Sequence, residues 1–368
     1  MPVDRAEGAV RDLRELPKAH LHLHLAGAMR PATLVELAAE QGRRLPAELL
    51  DPTGTRLDVT ARRGWSRFQR LYDAAREVVS GPDEVRRLVL EIAHDERSAG
   101  SGWVEVQVDP SSYAARLGGL QATVELVLDA MATAEAATGV GMALVVAANR
   151  TRHPAEAETL ARVARRFAGT APGRPGVVGF GLSNDETKGP PEHYEKAFRI
   201  ARDAGLLSVP HAGELRGTRS VRGAVEVLQA DRLGHGVRSV EDPETVRLLA
   251  ERGVVLEVCP ASNVALGVAG AIELVPVRQL REAGVPVALG ADDPLLFRSG
   301  LLDQYAAVRV QQGLSDEALA GLAADAVRGS AAPEPVRDRL LAGIDGWLVD
   351  LPSGLPADGL PRNAGHGG

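Results

Sequence analysis

Residues 20–30 read HLHLHLAGAMR, a stretch in which three histidines alternate with leucines. Successive side chains of a β-strand point to opposite faces, so His20, His22 and His24 share one face. Neighbours on that face lie about 6.6 Å apart, a span that two imidazoles can bridge to one metal ion. The outer pair is about 13 Å apart and cannot converge on one ion. At most two of the three histidines are therefore metal ligands.

Further polar side chains occur at the ends of other apolar segments. His211 and Glu214 lie in VPHAGE, His235 lies in RLGHGV, and Asp292 and Asp293 lie in GADDP. Each residue alone is also typical of a hydrogen-bonded polar group in a protein core. Together they supply three histidines and a carboxylate for an open metal site, and a further histidine and glutamate as base and acid. Taken together, these residues favour a metal site over a set of unrelated polar groups in the core.

The elements that must position these residues are short apolar segments that alternate with helical patterns. The predicted strands cover residues 18–25, 102–109, 140–148, 176–183, 207–214, 231–237, 254–260 and 286–293. Helical segments such as PETVRLLAERG begin with proline and end with glycine, as helices often do. Eight alternating strands predict the α/β class, a (β/α)8 TIM barrel, with extra helices over its C-terminal face. Active sites of such barrels open at the carboxyl ends of the strands, which favours His22 and His24 over His20.

The domain organisation follows from these patterns. We predict an N-terminal arm over residues 1–12 and a metal-dependent (β/α)8 barrel over residues 13–350. Residues 351–368 are rich in proline and glycine and poor in bulky apolar residues, so we expect a flexible C-terminal tail.

Composition excludes several partners. The net charge of −7 argues against a nucleic-acid partner held through phosphate contacts. The N-terminus lacks the apolar segment of a signal peptide, and no apolar run reaches the roughly 18 residues needed to span a bilayer. A single cysteine, Cys259, precludes a disulfide framework and suits a reducing compartment. These features predict a soluble cytoplasmic protein without a membrane partner, and they leave the oligomeric state open.

Five motifs carry a resemblance to a known family. LPKAHLHLHLAG, VPHAGE, RLGHGV, LEVCPASN and GADDPLLF, in this order, resemble the motifs of the adenosine deaminase family, which comprises zinc-dependent (β/α)8 hydrolases of 6-aminopurine nucleosides. The resemblance extends from Leu16 to Phe297, most of the chain. It implies one Zn²⁺ per chain, bound by four ligands: His22, His24, His211 and Asp292.

The resemblance also implies roles for other residues. His235 would orient and deprotonate the attacking water with help from Asp292, and Glu214 would protonate purine N1. Glu214 must then stay neutral near pH 7, which requires surroundings that raise its pKa. The residues expected to contact substrate are His24, Ala26, Asn184, Gly213 and Asp293, with Asp293 at N7 and the main-chain N–H of Asn184 at N3.

Four positions depart from the family pattern. His20 replaces a usual glutamate and is expected to form hydrogen bonds in the core, and Gln107 in EVQVDP replaces a usual arginine. GLSNDE (residues 181–186) replaces the usual DLAGDE, which puts Asn184 in place of a glycine. Ala26 stands where the family has an aspartate that reaches the ribose 5′-hydroxyl. The nature of the group at the 5′ position is therefore open.

The sequence thus predicts hydrolytic deamination of adenosine and 2′-deoxyadenosine to inosine and 2′-deoxyinosine, with release of ammonia and tolerance of 5′-modified substrates. One alternative is a specialist for a 5′-substituted adenine nucleoside or for adenine itself. Another is a catalytically silent purine-binding barrel, which the intact ligand set disfavours. Trp65, Phe68 and Tyr72 recur at helical spacing, which favours core packing over a lid above the sugar.

Overall fold

The structure is a computed structural model that describes residues 11–59 and 64–349. Most of the predicted N-terminal arm and the whole predicted tail lie outside these ranges. Eight parallel strands pair in sequence order, which confirms the predicted barrel. They are β1 (Lys18–His24), β2 (Ser101–Val108), β3 (Gly141–Asn149), β4 (Val177–Ser183), β5 (Leu207–Ala212), β6 (Arg232–His235), β7 (Val255–Val258) and β8 (Val287–Leu289).

The barrel closes between β1 and the residues that follow β8. The main-chain N–H of His24 donates to the Asp292 carbonyl at 3.1 Å, and the N–H of Asp292 donates to the His22 carbonyl at 3.0 Å. Closure therefore places Asp292 directly beside the histidines of β1.

Fourteen α-helices surround the barrel or cover its end. They are α1 (Pro31–Glu40), α2 (Gly64–Arg76), α3 (Pro82–Ser98), α4 (Leu120–Thr138), α5 (Pro154–Ala164), α6 (Glu195–Arg202), α7 (Thr218–Glu226), α8 (Pro243–Arg252), α9 (Pro260–Ala265), α10 (Val277–Glu282), α11 (Pro294–Phe297), α12 (Leu301–Gln311), α13 (Asp316–Gly329) and α14 (Glu334–Val349) within the described ranges. Short 3₁₀ segments cover Ala47–Leu50, Pro110–Ser112, Arg165–Phe167, Pro191–Tyr194, Val237–Glu241 and Ile272–Leu274. Three helices, α1, α2 and α3, lie between the first two strands, and residues of α2 line the barrel mouth as the prediction of extra helices there requires.

Helix α8 shows why proline marks the start of a helix and glycine its end. The Asp242 carboxylate accepts hydrogen bonds from the N–H groups of Glu244 and Thr245, and Pro243 occupies the first turn. Gly253 ends the helix in the left-handed region, at φ 63°. A side chain would be strained there, so glycine is the favoured residue.

Several strands end earlier than predicted. β5 stops at Ala212 rather than at residue 214, and β8 stops at Leu289 rather than at residue 293. The chain turns into the left-handed region at Gly213 (φ 77°), directly after β5, and at Asp292 (φ 60°), three residues beyond the end of β8. Glu214 and Asp292 therefore lie on the loops above the strands. No helix of the described ranges is long and apolar enough to cross a membrane.

Candidate metal centre and active site

His20 is part of the core, as expected, because both of its ring nitrogens have protein partners. Its Nδ1 lies 2.7 Å from Glu96 Oε1, and its Nε2 accepts a hydrogen bond from the N–H of Ala291 at 3.0 Å. It therefore has no nitrogen left for a metal ion.

The other histidines converge with Asp292 at the carboxyl ends of the strands. Ligand atoms of His22, His24 and His211 all lie within 4.8 Å of one another, and so do those of His22, His235 and Asp292. Asp292 Oδ1 is 3.5 Å from His22 Nε2 and 3.3 Å from His24 Nε2. The structure thus brings all four predicted ligands and His235 into one candidate metal site.

The surroundings of His22 fit a metal ligand. Its Nδ1 lies 2.9 Å from Glu257 Oε2, and the other oxygen of Glu257 accepts from Arg232 Nε at 2.7 Å. Its buried Nε2 makes no hydrogen bond of ordinary geometry with the described residues. Metal-binding histidines characteristically donate their second N–H to a carboxylate, which fixes the tautomer and the ring orientation.

Charge at His22 supports the same interpretation. Burial by itself would lower the pKa of His22, but the neighbouring carboxylates of Asp292 and Glu257 raise that pKa to about 10. The two carboxylates therefore favour a positive charge at this imidazole. A divalent cation bound to Nε2 supplies such a charge.

Glu214 and His235 have the protonation states that an acid and a base need. Burial, followed by the charges of Asp292 and Glu186, raises the pKa of Glu214 well above its usual range. Burial lowers the pKa of His235 to about 3, so its imidazole is neutral near pH 7. Their side chains are neighbours, with 3.7 Å between His235 Nε2 and Glu214 Oε1.

Asp293 follows Asp292 but lies in different surroundings. Burial and the neighbouring Asp292 charge raise the pKa of Asp293 well above its usual range. A Cβ atom on Gly27 would lie 1.7 Å from Asp293 Oδ1, so this glycine makes room for the carboxyl group. By contrast, Asp292 Oδ2 accepts a hydrogen bond from Ser262 Oγ at 2.6 Å. A protonated Asp293 can donate a hydrogen bond.

Backbone strain concentrates at this site. Five non-glycine residues in the described ranges have positive φ, and His235 (φ 65°), Asp292 (φ 60°) and Asn184 (φ 76°) are three of them. Such conformations cost of order 1–3 kcal/mol each and persist where the surrounding structure holds them in place.

A cavity opens above the cluster. Most predicted site residues line it, and these are His24, Asn184, His211, Glu214, His235, Asp292 and Asp293. Its other walls include Trp65, Phe68, Gln69, Tyr72, Arg76 and Gln107. The described structure does not bring every predicted contact to the cavity. Ala26 is completely buried and Gly213 lies behind the wall, where its N–H donates to Glu186.

Helix α2 covers one side of the cavity. Phe68 is buried and stacks on Phe297 with 6.2 Å between ring centroids, as the core-packing interpretation predicts. The same helix also closes the cavity, because Trp65 Nε1 donates to Asn184 Oδ1 at 3.3 Å and Asn184 Nδ2 donates to Gln69 Oε1 at 2.9 Å. Helix α2 therefore both packs in the core and covers the cavity.

Two carboxylates that hold the site were not singled out from the sequence. Glu257 orients His22, as described above. Glu186 accepts hydrogen bonds from four consecutive main-chain N–H groups, those of residues 213–216, and from Ser220 Oγ at 2.7 Å. It therefore holds the loop that carries Glu214. The sequence signals were the positions of Glu186 in the GLSNDE motif and of Glu257 in the LEVCPASN motif.

The parallel barrel with a histidine–aspartate cluster at its carboxyl end defines a TIM-barrel hydrolase of the amidohydrolase type. The family model described as adenosine deaminase matches residues 17–347. The chain therefore belongs to the adenosine deaminase family and is an aminohydrolase.

Relatives with known names support this family assignment. The chain is 57% identical over 344 residues to a Streptomyces coelicolor protein named "Putative adenosine/adenine deaminase", with 92% of this chain and 99% of the relative covered. It is 35% identical to an adenine deaminase of Sinorhizobium fredii, with 89% and 98% covered. The crystal structure of adenine deaminase from Arthrobacter aurescens matches with a TM-score of 0.80 and 29% identity, with 90% and 99% covered.

Proposed function

We propose that this protein is a zinc-dependent deaminase that hydrolyses the exocyclic C6–N bond of adenine, as the free base or as a nucleoside. Water and the 6-aminopurine give the 6-oxopurine and ammonia, so adenosine would give inosine. The observation that carries the proposal is the convergence of the histidine–aspartate cluster, Glu214 and Asp293 on one cavity.

The donor set supports zinc as the metal. Three imidazoles and one carboxylate, from His22, His24, His211 and Asp292, suit Zn²⁺ and leave a position for water. Zinc, when bound there, would lower the pKa of water toward 7 and make hydroxide available at neutral pH. Family resemblance selects His211 as the ligand from β5, and the neutral His235 is then free to act as a base.

The remaining chemistry is assigned to side chains of this chain. His235 accepts the proton of the attacking water, and Glu214 delivers a proton to purine N1, which lets the ring accept electrons as oxygen adds to C6. Asp293, whose pKa is raised by burial and by the charge of Asp292, donates a hydrogen bond to N7 in its protonated form. The protonated His235 then gives its proton to the amino group, which leaves as ammonia from the tetrahedral C6, and the proton of the C6 hydroxyl restores Glu214 as C6=O forms.

A separate point is whether purine N9 of the substrate carries a sugar or only hydrogen. The relatives bear the names adenosine/adenine deaminase and adenine deaminase. Ala26 offers no acceptor for a ribose 5′-hydroxyl, and its side chain lies away from the cavity. These observations favour recognition of the adenine ring itself, with adenine as a substrate beside adenosine.

A substrate panel tests the proposal. Adenine, adenosine, 2′-deoxyadenosine, 5′-deoxyadenosine and 5′-methylthioadenosine would each be assayed by ammonia release and by loss of adenine absorbance. We expect turnover of at least one member by the zinc-loaded enzyme, and Glu214→Gln is the matched inactive control. Binding of adenine compounds without ammonia release by the zinc-loaded protein would instead support the silent purine-binding barrel.

A further inference from the structure

Gln107 is a buried amide without a protein partner. It lies on β2, where it pairs in register with His24 of β1 and Val145 of β3. Its side chain lines the cavity although the residue is only 1% exposed. Neither Oε1 nor Nε2 has a hydrogen-bond partner within the described residues.

The residues beside this amide are small. A Cβ atom placed on Gly181 of β4 would lie 3.5 Å from Gln107 Oε1 and 3.4 Å from Ala147 Cβ. Gly181 begins GLSNDE, so it stands where the family pattern DLAGDE has an aspartate, just as Gln107 stands where an arginine is usual. An arginine and an aspartate at adjoining positions can satisfy each other, whereas a glutamine and a glycine cannot. The two departures therefore leave one amide free in the cavity wall.

An unsatisfied buried amide is costly, so a cavity-facing one requires an occupant with complementary groups. Its Nε2 needs an acceptor, and its Oε1 needs a donor beside that acceptor. One edge of free adenine has this pattern, because N3 is an acceptor and N9–H is a donor two bonds away.

The arrangement of the strands places that edge near Gln107. The residues assigned to C6, N1 and N7 come from β1, β5, β6 and β8 or from the loops after them. N3 and N9 lie on the opposite side of a purine ring. The strands on that side are β2, β3 and β4, which lie between β1 and β5, and Gln107 lines the cavity from β2.

We propose that Gln107 binds the N3/N9 edge of free adenine, with Nε2 donating to N3 and Oε1 accepting from N9–H. Gln107, rather than the Asn184 main chain, is then the partner of N3. A sugar on N9 removes the donor and leaves Oε1 unsatisfied, so Gln107 selects the free base over nucleosides. This inference rests on the proposed deaminase activity and specifies the substrate within it.

The test compares adenine with 9-methyladenine, which has a methyl group in place of the N9 hydrogen. The zinc-loaded wild-type enzyme is expected to show kcat/KM roughly ten- to a hundred-fold higher for adenine, because the methyl group leaves Oε1 without a donor. Gln107→Met keeps the length of the side chain but removes both polar atoms. We expect it to lower kcat/KM for adenine by a similar factor and to change the value for 9-methyladenine less than about three-fold.

Gln69→Met is the matched control, because Gln69 also lines the cavity but its Oε1 already has a partner in Asn184. It should change kcat/KM for both compounds by the same factor. An equal loss for both compounds in Gln107→Met would show that Gln107 binds only water or supports the wall, and would overturn the proposal.

A second measurement needs no variant. The wild-type enzyme should prefer adenine over both 9-methyladenine and adenosine, and equal turnover of adenine and 9-methyladenine would refute the role of Gln107 even if Gln107→Met failed to fold. Deamination of adenine without this preference would leave the proposed function standing and remove only the Gln107 assignment. Absence of any deamination would remove both.

Discussion

The side chain of Asn184 should hold α2 over the cavity, and Asn184→Gly isolates this contribution. Asn184 occupies the left-handed region at φ 76°, which glycine adopts without strain. Its amide donates to Gln69 Oε1 at 2.9 Å, and its carbonyl oxygen accepts from Trp65 Nε1 at 3.3 Å. The substitution preserves the backbone conformation and removes both hydrogen bonds to α2.

The magnitude follows from these contacts. Each hydrogen bond contributes about 0.5–1.5 kcal/mol net, so the docking of α2 should weaken by about 1–3 kcal/mol. Relief of left-handed strain in a side-chain-bearing residue, about 1–2 kcal/mol, opposes a loss of global stability. Because the two effects have opposite signs, we expect the free energy of unfolding to fall by no more than about 2 kcal/mol. Local opening of α2 should become roughly 5- to 150-fold more frequent.

Hydrogen exchange measured on peptides from Gly64–Arg76 tests this expectation, with peptides from α8 as an internal control. Asn184→Gly should accelerate exchange in α2 alone and raise KM for adenine substrates, because the cavity loses its cover. Asn184→Asp keeps the acceptor for Trp65 but loses the donor to Gln69, so its effect should be intermediate. Unchanged exchange in α2 of Asn184→Gly would refute the reasoning.

Four further predictions concern the metal, the acid and base, and the substrate. Metal analysis should find about one zinc per chain, sharply reduced in His211→Ala, and a chelator should lower Tm until zinc is restored; a fully active metal-free protein would contradict this. Glu214→Gln and His235→Ala should retain zinc while kcat falls at least about a hundred-fold, and near-normal kcat in either would reject its role. Glu257→Gln should weaken zinc affinity about 10- to 100-fold, as titration against a competing chelator would show, because His22 loses its charged partner. Because Ala26 provides no acceptor for the 5′-hydroxyl, kcat/KM for 5′-deoxyadenosine should stay within about ten-fold of adenosine, whereas discrimination of about a hundred-fold would reveal another acceptor.

Sequence patterns alone determined the eight strands, their order and the residues at their carboxyl ends. These features are local, because alternating side chains and apolar segments bounded by proline and glycine identify each strand by itself. In a parallel barrel all carboxyl ends meet at one face, so strand-end residues such as His24, His211 and Asp292 had to converge. The predicted end of β5 was wrong because a left-handed residue, Gly213, follows Ala212 and stops the strand.

Tertiary structure alone decided how the converging residues are held and which predicted contacts reach the cavity. Glu257 orients His22, and Glu186 holds the loop of Glu214, through hydrogen bonds between segments far apart in the chain. No local pattern encodes such pairs. Ala26 follows the histidine strand closely, yet it is completely buried, whereas Gln107 faces the cavity with its amide unpartnered. Burial and hydrogen bonding depend on what neighbouring strands and helices place opposite a side chain, and only the folded barrel brings those neighbours together.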